Sequence, residues 1–130
     1  MDLVDETLRE WRRHPHEYGI NDCVLSAAAY FMALGVRNAM PWFAGTYADG
    51  DAAMEVLAEI GGMPQAMEIV GGTLVDGEPE RGDFIGLLAE TDYPIPALCT
   101  GDRVAVRLER GVVEVPLKFV KWEHVWRGLI

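Results

Sequence analysis

Apolar residues recur at spacings of three and four over residues 2–13, where Leu3, Val4, Leu8 and Trp11 share one face. Acidic residues come early in that stretch and arginines late, which suits the helix dipole, and Pro15 ends it. A second run, from Val24 to Leu34, is apolar on almost every side and predicts a buried helix. Asn21 and Asp22 are N-cap residues for it and Gly35 its stop. Residues 51–60 repeat the helical period through Ala52, Met54, Val56, Leu57 and Ile60, closing on Gly61-Gly62, and a short helix over 64–70 follows. Beyond Gly71-Gly72 the period changes from helix to strand. Valine-, leucine- and isoleucine-rich runs divided by turn residues predict strands near 83–88, 102–108, 111–117 and 124–129, with Glu109-Arg110-Gly111 as a hairpin. In the second of these Val104, Val106 and Leu108 alternate with Arg103, Ala105 and Arg107, which predicts one wet face. Helices first and an antiparallel sheet second is an α+β layout.

Between 36 and 50 no period holds, and Asn38, Pro41, Gly45 and Gly50 punctuate a loop that carries Trp42, Phe43 and Tyr47. Those rings either pin the loop to the core or form one wall of a binding groove.

At 130 residues, half of them hydrophobic and a quarter charged, the chain has the size and composition of a single domain spanning 1–130. Its net charge of −10 repels a phosphate backbone, and Arg12-Arg13 is too short a basic run to offset that, so nucleic acid is excluded as a partner. No apolar stretch is long enough to span a bilayer, and the acidic opening Met-Asp-Leu-Val-Asp-Glu is unlike a signal peptide. The expectation is therefore no membrane insertion and a cytoplasmic origin, with Cys23 and Cys99 both reduced. Neither Cys-x-x-Cys nor His-x-x-x-His occurs, and no metal or other cofactor is expected.

Cys23 is the candidate for chemistry. It falls in the first turn of the predicted second helix, where free backbone amides and the dipole favour a thiolate and lower its pKa. The alternative is a small core residue valued for its volume.

Four segments carry a resemblance. They are Tyr18-Gly19-Ile20-Asn21-Asp22-Cys23; Ala44-Gly45-Thr46-Tyr47 ahead of a helix ending in Gly61-Gly62; Arg81-Gly82-Asp83; and Val125-Trp126-Arg127. In this order they resemble the NlpC-type cell-wall endopeptidases, which are papain-like cysteine hydrolases, and more closely the phage and prophage relatives of the tail-assembly proteins of lambda-like phages. The resemblance implies a papain-like, NlpC-type fold with N-terminal helices packed on a C-terminal antiparallel sheet. It implies Cys23 as nucleophile, with Asp22 and Tyr18 beside it, Tyr18 on the oxyanion side. It also places a histidine at the head of the second strand of the sheet. There the chain reads Pro96-Ala97-Leu98-Cys99-Thr100-Gly101 and has none.

His124, beside Trp122 and Trp126, is the first substitute base, with His14 and His16 as alternatives. Asp22 either orients an imidazole or, on the safer reading, caps the helix, and Tyr18 is equally an oxyanion-side hydroxyl or a core ring. Two functions follow. One is a degenerate fold that acts as a structural or protein-binding module at a phage tail tip or during tail assembly, with other tail proteins as partners and Trp42, Phe43 and Tyr47 as the contact surface. Such a protein moves from host cytoplasm into the virion tail. The other is an active cysteine amidase or endopeptidase that cleaves peptidoglycan stem peptides through Cys23 and His124.

Overall fold

A computed structural model describes residues 2–36, 43–89 and 94–128. Four helices precede the sheet: α1 Leu3–Arg13, α2 Cys23–Leu34, α3 Gly50–Ile60 and α4 Met63–Ile69. Six strands follow: β1 Thr73–Val75, β2 Phe84–Leu88, β3 Ile95–Cys99, β4 Arg103–Leu108, β5 Gly111–Pro116 and β6 Lys121–Arg127. They form one antiparallel sheet in the order β1-β6-β2-β3-β4-β5. The chain is thus α+β, with its helical half first.

Each helix starts and stops where side-chain chemistry allows it. Asp2, Asp22 and Asp49 cap α1, α2 and α3 by accepting the amides of Asp5, Leu25 and Ala52, while Gly35 and Gly61 end α2 and α3 in left-handed backbone. The apolar stripe of α1 buries Val4, Leu8 and Trp11. Of α2, only Ala29, Met32 and Ala33 reach solvent freely among its helical residues, as expected for a helix apolar all round. Its Tyr30 and Phe31 meet Phe84 of β2 edge-on, at 5.6 and 5.4 Å between ring centres.

The sheet has buried side chains on both faces. Phe84, Leu98, Ala105 and Trp126 join the helices in the main core, whereas Ile85, Ala97, Cys99, Val104, Val106 and Val125 form a second cluster. Of the expected wet face of β4 only Arg103 is exposed. Ala105 is fully covered, and Arg107, only 6% exposed, runs beneath α2. Its guanidinium donates to the His14 carbonyl through Nε (2.9 Å) and Nη2, and to Ser26 Oγ through Nη1 (3.2 Å). A buried cation is tolerated when its donors are satisfied, and this one ties the end of α1 to α2 and the sheet.

Two strands eluded the residue pattern. β1 is three residues long and half exposed, too short to show a period. β3 carries Pro96 in an interior strand, opposite Gly86, where proline ordinarily argues against a strand. Helix α4 and β6 begin a little earlier than their patterns, at Met63 and Lys121.

The sequence Arg81-Gly82-Asp83 is a structural knot. Arg81 binds Asp2 and Asp5 at the start of α1 and the Thr100 carbonyl. Gly82 has φ 95°, and any Cβ there would lie 2.8 Å from the Tyr30 hydroxyl. Asp83, 2% exposed, accepts two parallel hydrogen bonds from Arg127, both 2.8 Å.

The Arg107 clamp yields a direct test. Arg107→Ala leaves the His14 carbonyl and Ser26 without their donor and is expected to cost about 2–3 kcal/mol in urea unfolding; a loss below about 0.5 kcal/mol contradicts the clamp.

Candidate functional site

Cys23 opens onto a groove of about 450 Å³, its open mouth included. The start of α2 supplies Asp22, Cys23 and Val24, and the preceding loop supplies Tyr18. Phe43 and Tyr47 lie on a second side, Met54, Leu57 and Ile60 of α3 on a third, and Met63 and Ala66 of α4 close it. The lining is mostly apolar, with its polar atoms gathered at the Cys23 end.

Asp22 organises that end. Oδ1 accepts the Leu25 amide at 3.0 Å as the helix cap. Oδ2 accepts the Gly19 amide at 3.0 Å and the Tyr47 hydroxyl. The two segments meet again where the Gly45 amide donates to the Gly19 carbonyl at 2.7 Å. Gly19 has φ 82°, and a Cβ there would sit 2.2 Å from the Tyr47 carbonyl oxygen, so the approach admits only glycine.

The Cys23 thiol does not match the expectation of a stabilised thiolate. Burial, and after it the negative charge of Asp22, push it from an ordinary 9.0 up to about 12. The amides of Val24 and Cys23 pull the other way, as a helix start should, and are outweighed. Tyr18 and Tyr47 are also raised, by burial first; for Tyr47 the bond to Asp22 comes next, and for Tyr18 the Glu109 carboxylate. Both phenols therefore stay protonated donors at neutral pH. The sign for stability follows: a thiol held neutral in the fold contributes fully below its unfolded pKa, and that contribution is lost as pH rises from about 9 towards about 12.

Cys23, Asp22, Tyr18, Phe43 and Tyr47 therefore come together. Trp42 lies outside the described residues. His124 does not line the groove. It is the bulge residue of β6, unpaired where Ile85 faces Val125 and Gly86 faces Glu123, with φ 60°. Its imidazole is 37% exposed, 4.0 Å from Glu123 and tilted against Trp126. His14 points outward beside Glu10, and its carbonyl is taken by Arg107. His16 stacks edge-on against Tyr18 at 4.6 Å, in a depression with Leu108, Glu109 and Arg110. No histidine is among the described residues that line the Cys23 groove. Among the described residues no cluster of His, Cys, Asp and Glu could hold a metal ion, and no helix is long and apolar enough to cross a membrane. Cys99 is buried in the second cluster and, like Cys23, is a free thiol.

The groove walls from α3 and α4 were not singled out from sequence, although the apolar stripe of α3 was legible. In the structure Val56, Leu57 and Ile60 are partly buried, packed against the main core while they also line the groove, a double role that no local pattern announces. The outer face of α3 carries Asp51, Glu55 and Glu59 at intervals of four, like-charged neighbours that destabilise a helix by about 0.2–0.5 kcal/mol per pair.

The Asp22 network predicts that Tyr47→Phe, which removes one donor to a buried carboxylate, costs about 1.5–3 kcal/mol of stability. Asp22→Ala costs more, since it orphans the Gly19 and Leu25 amides as well; a neutral Tyr47→Phe in urea unfolding contradicts the network.

The chain belongs to the DUF6950 family, a domain of unknown function, whose family model matches residues 2–128. No curated protein and no solved structure matches it.

Proposed function

We propose that this DUF6950 chain is a degenerate, NlpC-like domain of papain type that serves as a protein-binding module, in a phage or prophage tail or its assembly, and not as a peptidase. One observation carries the non-catalytic half of this reading. The groove around Cys23 has no imidazole among its described lining residues, and the thiol there is pushed away from ionisation. A cysteine hydrolase needs an imidazole within hydrogen-bond reach of the thiol to accept its proton and return it to the leaving amine. Both oxygens of Asp22 already accept hydrogen bonds, from Gly19, Leu25 and Tyr47, in a scaffold role. Tyr18 keeps its hydroxyl at the groove, but a hydrogen-bond donor without an activated nucleophile binds and does not cleave.

The tail setting rests on the resemblance of the four segments, and their geometry supports a scaffold role for them. Tyr18–Asp22 is bonded to the Gly45–Tyr47 segment, and Asp83 to Arg127, so each segment fastens another. Residues employed in this way have a structural role whether or not the site does chemistry. Other tail proteins are the proposed partners, with the virion tail as the final location after assembly in the host cytoplasm.

Purified protein incubated with peptidoglycan muropeptides is expected to give no products above a blank, by mass spectrometry. Hydrolysis that disappears in Cys23→Ser would overturn the reading and restore Cys23 as a nucleophile.

A further inference from the structure

Arg107 is a buried cation that forms no ion pair among the described residues, although the chain carries a net charge of −10. A guanidinium has five N–H groups. The bonds to the His14 carbonyl and Ser26 Oγ use one on each nitrogen, so Nη1 and Nη2 each keep a spare N–H. His14 is the C-cap of α1, where the helix dipole sets roughly half a negative charge against a full positive one. Burial works against the cation, and the Glu10 charge offsets that only in part. Interior charges are ordinarily paired, and the counter-charge of this one is incomplete.

Arg107 also lines a cavity of about 220 Å³ between α1 and α2 that shares no residue with the Cys23 groove. Arg107 and Ser26 are its buried polar residues, and Leu3, Trp11 and Ala29 give it apolar walls. Glu6 and Glu10, one turn apart on α1 and both exposed, supply its carboxylates. Glu6 is in no ion pair among the described residues, and Glu10 meets only the His14 ring, at 3.4 Å.

We propose that this cavity binds a small zwitterion of amino-acid size, its carboxylate received by the spare N–H groups of Arg107 and its ammonium held by Glu6 and Glu10. The site is separate from the Cys23 groove and does not depend on the reading given to that groove. Size sets the class of ligand, because the cavity falls below the about 300–1,000 Å³ typical of pockets for drug-sized molecules. Charge sets its character. A simple anion meets the carboxylates of Glu6 and Glu10, and a simple cation meets Arg107, so a molecule carrying both signs is the one matched at both ends. The bonds that the spare N–H groups would make are charge-assisted on both sides, the strong kind. Leu3, Trp11 and Ala29 suit an aliphatic carbon chain between the two charges.

The test is isothermal titration calorimetry of the whole chain at neutral pH. L-leucine and ε-aminocaproate are the zwitterions, and caproate and hexylamine are comparators that each lack one charge. At least one zwitterion is expected to bind one to one, and each comparator about tenfold or more weakly. Glu6→Gln combined with Glu10→Gln alters only exposed side chains, so the fold survives it. That variant should bind the zwitterion about tenfold more weakly and no better than caproate. Arg107→Lys, which keeps the charge but loses the guanidinium donors, should weaken the zwitterion and caproate alike; where it unfolds the chain, the double variant alone decides. Glu55→Gln on α3 should change nothing. Failure of both zwitterions to bind, equal binding of caproate or hexylamine by the native chain, or binding indifferent to the double variant overturns the proposal.

Discussion

One buried carboxylate holds the entry to the central helix in place. Asp22 is 4% exposed and accepts three donors from three directions: the amide of Leu25 inside α2, the amide of Gly19 in the loop before it, and the hydroxyl of Tyr47 from the segment leading to α3. Burying a charge is costly unless hydrogen bonds replace its water, and here they do. The arrangement fixes where Cys23 lies and also what it can do. The same negative charge that locks the helix start stands beside the thiol and disfavours a second negative charge. Burial first, and the Asp22 charge after it, both disfavour the thiolate at this helix start.

The knot at Arg81-Gly82-Asp83 plays the corresponding part on the sheet. Arg81 gathers the start of α1 and the turn between β3 and β4, Gly82 makes room for Tyr30, and Asp83 holds Arg127 at the end of β6. This knot and the Asp22 network are the points where Asp83 meets Arg127 and where Tyr18–Asp22 meets Gly45–Tyr47. They are places where distant parts of the chain must touch at fixed angles. Such positions are explained by the fold alone, and activity has to be argued from the groove itself. In that groove the described lining is apolar, with two protonated phenols, a carboxylate already engaged and a neutral thiol.

Much of this architecture was legible in the sequence because it is written in local chemistry. Three-to-four spacing, the Asn21-Asp22 cap and the glycine stops gave α1, α2 and α3 to within a residue or two, alternation gave β4, and apolar runs between turn residues gave β2 and β5. What was not legible depends on contacts distant in sequence. Arg107 looked like the wet side of β4, but the loop after α1 turns its carbonyl towards it and α2 offers Ser26. Pro96 kept β3 out of the residue pattern, although in the sheet it stands opposite Gly86. In the site, Cys23, Asp22, Tyr18 and Tyr47 were recognisable as a group, whereas the position of His124 was set by a β-bulge that no local pattern announces.

The most direct test of a binding groove against a catalytic one is the ionisation of the Cys23 thiol, followed by thiolate absorbance against pH in a Cys99→Ser background with and without His124→Ala. The account predicts no thiolate at pH about 8.5, where a free cysteine is half ionised, a midpoint displaced towards about 12, and no response to His124→Ala. A midpoint well below 8.5 or so that returns upward when His124 is removed would contradict it, and would establish an imidazole-activated nucleophile in its place.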